Sequence, residues 1–447
     1  MKKLKTRPQM LLYAISGMGV NLLNLMMGSY LCSALLTGGF KDEAVKFQTF
    51  TGSDLVDYAV WPIFALAAKI LDGVIDVPMA SFTDRLRSRW GRRRPALLIG
   101  LIPMVLAYVL FLIVPQKGAT LLNTVYYGVI LCIFYSFYTL TMVTYYATFT
   151  EIVETERERN FISNVKSVCD ILYFIIGYVL VRMLLNGMNI RPVALIVLPM
   201  VVTMLIPLFM IQEGSSLDGK VGGKDTVGLF KSLRYTFRNR TFILWMVCYS
   251  FMTFGVQLFL GGINEYFSYV GMSMILVMAT AFAPVPLTLL LYNRLQKKHG
   301  FVFAFRYILL VYTVGMIAMF ATGRLADGST AKMACSIVCG LIASLAIGAM
   351  FSVAYSVPSQ LAADEEKVTG VSHSAMYFAV QGLFAGVATG IATGIVLTAL
   401  KANSGQGTVN GPVSNMTLIC AAGTVVSFAL TFLLPRSLKE LGKESKT

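Results

Sequence analysis

Twelve apolar runs, each near the roughly 20 residues that a helix needs to cross a bilayer, fix what this chain can become. They fall at roughly 10–37, 58–82, 96–115, 124–150, 165–187, 192–212, 241–270, 272–292, 304–323, 333–357, 372–400 and 416–434. In hydrocarbon every backbone N–H and C=O must be satisfied within its own segment, so runs of this length fold as helices. Only 13% of the residues are charged, about half the share usual in soluble domains. The expected fold is therefore an all-α, multi-pass protein of the cell membrane with twelve transmembrane helices, its lipid-facing surface partnered by the bilayer.

The net charge of +15 would suit nucleic acid, but its placement says otherwise. With both termini cytoplasmic, 28 of the 37 Lys and Arg fall in inward segments, the bias that sets membrane topology. Nucleic acid is thereby excluded as the partner. The basic start Met1–Arg7 resembles a signal peptide, yet the apolar part that follows is too long for one and is read as the first helix. The seven cysteines stand singly without a CxxC, and Cys335 and Cys339, on one helix face, read as packing thiols. Only two histidines occur, His299 and His373, with no metal spacing, phosphate loop or nucleophile elbow. An enzyme is disfavoured, and no cofactor or metal is expected.

The chain divides near its middle. Residues 213–240, polar and rich in Gly and basic residues, read as a cytoplasmic linker between an N-terminal six-helix bundle (1–212) and a C-terminal one (241–434), with a cytoplasmic tail at 435–447. Asp84-Arg85-Leu86 followed by Gly91 matches Asn293-Arg294-Leu295 followed by Gly300, both 209 residues on. The polar loops beginning at Glu151 and Gln360 are also 209 apart, and Pro78 and Pro286 are 208 apart. Two six-helix bundles related by a parallel repeat are the plan of one large transporter class, with its substrate site near the midplane.

The second apolar run carries three charges. Lys69, Asp72 and Asp76 share one helical face. Each charge at bilayer depth costs roughly 2.5–3.5 kcal/mol on insertion scales. One lysine cannot neutralise two aspartates, and the remaining negative charge suits a coupling Na⁺ or H⁺, against the plainer alternative of a buried ion pair. Pro78 cannot donate to the Val74 carbonyl, which leaves that oxygen as a further ligand between the two acids, or simply marks a kink. The repeat places Ala281 and Val285 at the matching positions, so the ion site belongs to the first half.

The run AKILDGVIDVPMASFTDRLRSRWGRRRP, Ala68 to Pro95, resembles the helix 2 and loop 2–3 signature of the glycoside–pentoside–hexuronide:cation symporters, the melibiose-permease branch of the major facilitator superfamily. TEIVETERERN after helix 4 and DEEKVTG (Asp364 to Gly370) resemble further family segments. The resemblance implies the major facilitator fold, cation binding by Asp72 and Asp76 with a basic residue at Lys69, and a hydroxyl ligand at Thr139. The family's galactoside-gripping acids on helices 1 and 4 are replaced here by Asn21 and Met142, and its helix 11 lysine by Gln381. A galactoside is therefore not carried over.

Asn21, Asn24, Tyr145, Tyr146, Gln257 and Gln381 are the expected substrate residues, with Thr141, Asp170, Asn264 and Glu265 as further polar groups at depth. Tyr135 and Tyr138 add aromatic faces, though tyrosines are common packing residues in membranes. Asp170 reads as an i,i+4 partner of Lys166, and Glu265 as either hydrated or functional. Gly382, Gly386, Gly390 and Gly394 form a small-residue stripe suited to close helix packing. Asp84, Arg85 and Arg92 in the Arg-rich loop read as a gating latch beside their role in topology. The expected activity is cation-coupled symport of a sugar or glycoside by alternating access, functional as a monomer. The alternative on the same fold is an amphipathic lipid or other non-sugar solute.

Overall fold

Helix after helix is what the apolar runs dictate, and the computed structural model shows it for residues 6–37, 55–152, 156–185, 187–211, 213, 240–369, 374–403, 411–435 and 438. In chain order these are α1 (Arg7–Leu36), α2 (61–85), α3 (Arg93–Phe111), α4 (Leu121–Glu151), α5 (156–185) and α6 (Ile190–Met210). They continue as α7 (240–270), α8 (274–299), α9 (Phe301–Gly323), α10 (Thr330–Thr369), α11 (374–402) and α12 (Pro412–Leu433). Ten of the described helices are apolar enough to cross a membrane by length and composition, and the bent α8 makes an eleventh. The twelfth, α2, is long enough, but every 18-residue stretch of it contains Lys69, Asp72 and Asp76.

The prolines explain the breaks. α2 consists of Trp61–Val74 and Asp76–Arg85, and α8 of Met274–Phe282 and Val285–His299 with a bend of 46°. In each case the first piece ends at the residue four before a proline, Val74 before Pro78 and Phe282 before Pro286. Proline has no N–H for the carbonyl of residue i−4, so the ladder opens there.

The described residues form two compact units, one running to Glu213 and one from Arg240 onward. In the first, α4 packs against α3 and α2, and α1 packs against α5 and α6. In the second, α12 packs against α7 and α9, α10 against α8 and α9, and α11 against α7. Duplication shows in the backbone as well. Gly91 and Gly300 both adopt positive φ, 85° and 89°, just before α3 and α9, a conformation that side chains with a Cβ disfavour. An arginine near the start of the third helix of each unit then donates to the sixth: Arg94 Nε to the Leu208 carbonyl at 2.7 Å, Arg306 Nε to Thr431 Oγ1 at 2.7 Å.

One expected loop is helix instead. The polar stretch from Gln360 continues α10 to Thr369, whereas its counterpart leaves α4 at Glu151. Residues 360–369 contain neither Gly nor Pro and are rich in Ala, Glu, Leu and Lys, so nothing in them stops a helix. The proposed linker lies outside the described residues except Glu213 and Arg240, as does most of 435–447.

Candidate functional site

Asp72 is held from two sides. Lys69, three residues earlier on α2, places its Nζ 3.7 Å from Asp72 Oδ2. Thr139 on α4 donates its hydroxyl to Asp72 Oδ1 at 2.9 Å. Tyr135, one turn before Thr139, lies under the lysine, with Lys69 Nζ 3.6 Å from its ring centroid. Helical spacing accounts for the set: positions 69 and 72 share a face of α2, 135 and 139 share a face of α4, and the two helices pack together. An ammonium over an aromatic face gains electrostatic attraction that partly replaces lost water.

Asp76 differs. It opens the second piece of α2, one residue beyond the break at Ile75, and is only partly buried. Among the described residues its carboxylate has neither a hydrogen-bond nor an ion-pair partner. Its place in the first turn sets it at the positive end of a short helix, which favours negative charge. With all three ionised, the side chains carry one net negative charge, and 20% and 28% of the Lys69 and Asp72 side-chain surface remains accessible. An arrangement of this kind can take up one monovalent cation.

The remaining expected residues separate into groups. Asn21 on α1 accepts from the Tyr138 hydroxyl at 3.1 Å. Asn24, one turn on, has a buried Oδ1 without a hydrogen-bond partner. Tyr145 is spent on packing: its ring stacks on Tyr13 at 5.0 Å and its hydroxyl donates to the Tyr13 carbonyl at 2.8 Å. Tyr146 is exposed and lies under Lys166, whose Nζ is 5.0 Å from its ring centroid. Lys166 also pairs with Asp170 at 2.5 Å, the i,i+4 partnership expected of them. Gln257 on α7 is partly exposed, and Gln381 on α11 is buried; both belong to the second unit.

The Arg-rich loop is fastened in a way the sequence did not suggest. Glu213, just after α6, accepts from the backbone N–H groups of Arg92 and Arg93 at 2.9 and 2.8 Å. Its carboxylate thus satisfies open donors at the start of α3. Arg92 therefore meets Glu213 through its main chain. The side chains of Asp84 and Arg85 lie outside the described residues.

The second unit holds a further pair that spacing could not reveal. Glu265 on α7 is 2% exposed, shut off from bulk water, and its carboxylate forms an ion pair with Lys401 on α11, itself 3% exposed. The close approach of these helices uses glycines of α7: a Cβ on Gly261 would meet Thr393 Cγ2 at 2.6 Å. Of the α11 stripe, Gly390 and Gly394 are buried within a π-helical turn, Gly390–Val396.

A family model described as MFS/sugar transport protein matches residues 12–437. A curated relative from Synechocystis sp., described as an uncharacterized symporter, is 30% identical over 132 residues, covering 28% of this chain and 24% of that protein. The match thus spans about a quarter of that relative. Among solved structures, the nucleoside transporter NupG superposes with a TM-score of 0.60 at 13% identity, over 96% of this chain and 99% of its own. A bacterial homologue of the iron transporter ferroportin gives 0.62 at 13% identity, over 96% and 98%. A bacterial homologue of the lysosomal transporter Spinster gives 0.56 at 14%, over 99% and 100%. At such identities the likeness concerns the fold alone.

Proposed function

Because the chain belongs to the MFS/sugar transport protein family and has the major facilitator fold, we propose that this membrane transporter is a cation-coupled symporter of a sugar or glycoside, of the melibiose-permease branch. Asp72, Asp76 and Thr139 line the site of the coupling Na⁺ or H⁺, with Lys69 beside them. The observation that carries this reading is the unpartnered Asp76 carboxylate four residues from an Asp72 already tied to Lys69 and Thr139. A purely structural ion pair leaves no second acid over. A cation moving down the membrane potential releases about 2.3 kcal/mol per 100 mV, enough for about fifty-fold accumulation at 1.4 kcal/mol per tenfold.

Substrate recognition falls to the polar groups of α1 and α4 in the first unit, Asn21, Asn24 and Tyr146 with Tyr138 beside them, and to Gln257 and Gln381 in the second. Amide groups both donate and accept, as paired sugar hydroxyls require. Met142 stands where the family has an acid, so neutral amides take over the hydroxyl contacts here. Tyr145 shapes this region through Tyr13. The loop of Asp84, Arg85 and Arg92, clasped by Glu213, serves as the gate at the end of α2. Both termini are cytoplasmic in this reading, and the protein works as a monomer in the cell membrane.

The test begins with the purified protein, screened for thermal stabilisation by sugars, glycosides, uronic acids and lysolipids with and without Na⁺. The compound that stabilises is then followed into proteoliposomes under an imposed ion gradient. Asp72→Asn and Asp76→Asn should insert and fold normally yet accumulate nothing. Full accumulation by both variants refutes the ion site, and stabilisation by lysolipids alone replaces the sugar with an amphipathic cargo.

A further inference from the structure

The two oxygens of Asp72 face two different groups. Oδ1 accepts from Thr139, and Oδ2 faces the Lys69 ammonium at 3.7 Å. Lys69 is in turn set over Tyr135, 3.6 Å from its ring centroid. Beyond these, among the described residues, no further ion pair or hydrogen bond reaches Asp72 or Asp76. Hard cations take a shell of several oxygens, and sharing one between both aspartates would set it against the lysine. Two like charges about 4 Å apart at an effective dielectric near 20 repel strongly enough to weaken binding about a thousand-fold.

Resting on the cation-site reading above, we propose that Lys69 is the specificity-determining residue of this site: its ammonium is the resident cation of Asp72, leaving Asp76 alone for one mobile monovalent ion. The lysine thereby sets both the number of ions carried and the weak hold on a metal cation. Removing its charge frees Asp72 and raises the negative charge of the site from one to two. A two-carboxylate site of that kind binds Na⁺ tightly, and it survives the loss of either acid. In the natural protein, by contrast, loss of Asp76 leaves Lys69 and Asp72 mutually neutralised, with nothing for a mobile ion to cancel. Lys69 is a positioning residue toward Asp72 and a competitor toward the ion.

The experiment uses the purified full chain and Na⁺ as the only probe. Choline chloride is replaced stepwise by sodium chloride at constant ionic strength, and the melting temperature is followed. Lys69→Met should respond to Na⁺ with a midpoint at least about tenfold below that of the natural protein. Lys69→Arg, which keeps the charge, should behave like the natural protein. Asp76→Asn alone should lose any Na⁺ response, whereas Lys69→Met with Asp76→Asn should keep one through Asp72. Lys69→Gln supplies the same comparison where the Met variant folds poorly. An equal or weaker response in both uncharged variants, or a silent double variant, overturns the proposal. A natural-protein response lost in both Asp72→Asn and Asp76→Asn would in that case leave the symport reading standing. A response identical in the natural protein and in the Asp72→Asn, Asp76→Asn double variant sinks both.

Discussion

Thr139 donates its hydroxyl to Asp72 across 2.9 Å, joining α4 to the charged face of α2. Hydrogen bonds to a charged group contribute about 1.5–3 kcal/mol. Thr139→Val keeps the shape and removes the donor, so the cation dependence of uptake should weaken about ten- to a hundredfold. Thr139→Ser should restore it. Uptake titrated against the coupling ion decides, and an unchanged half-saturation in the Val variant takes Thr139 out of the site.

Asn24 tells a different story, because its buried Oδ1 has no hydrogen-bond partner. An unsatisfied buried acceptor costs about 1–3 kcal/mol, a cost that substrate binding can recover. Asn24→Leu should therefore melt at the same temperature or higher, while stabilisation by substrate falls at least about tenfold. Lower stability with unaltered substrate affinity would assign Asn24 to packing alone.

The buried Glu265–Lys401 pair predicts a non-additive pattern. Lys401→Met leaves an uncompensated buried carboxylate, a loss of about 3–5 kcal/mol. Lys401→Met combined with Glu265→Leu should regain most of that, since replacing a whole buried pair by apolar groups is close to neutral. Melting of the two single variants and the double variant in detergent closes the cycle. Additive losses would show that the two side chains act separately.

Gly91 and Gly118 share a positive φ, 85° and 83°, in different surroundings. A Cβ at Gly91 would run into the Glu213 side chain, whereas one at Gly118 would meet nothing within 4 Å. Gly118→Ala should cost only the backbone strain of about 1–2 kcal/mol. Gly91→Ala should cost more and also loosen the clasp on Arg92 and Arg93, which limited proteolysis of the loop between α2 and α3 would register. Equal losses would mean that Glu213 moves aside freely.

Much of this was legible from the residues, and the rest has physical reasons. Helix count followed from hydrocarbon length, since spans are set by the bilayer. The shared turn at Gly91 and Gly300 was visible as a repeat because a positive φ calls for glycine in both halves. Lys69, Asp72 and Asp76 stood out because charge in lipid is costly. What escaped was contact across long separations. Lys401 meets Glu265 from 136 residues away, and Tyr145 turns its hydroxyl to Tyr13 over 132. Periodicity shows which face a side chain occupies but not which helix comes to meet it. Glu213 looked like the first residue of a linker, and only the folded chain reveals it as the clasp of another helix.

At 40 residues, α10 measures about 60 Å, some twice the thickness of the hydrocarbon layer. A helix that long, even with Pro358 inside it, cannot be hidden in lipid at any modest tilt, so part of it extends beyond the hydrocarbon. A spin label or fluorophore at its far end would shift by about 3 Å for about 5° of rocking at depth, a displacement that distance measurements resolve. The second half of the molecule thus comes with its own pointer, from which transport can be timed without labelling the site at all.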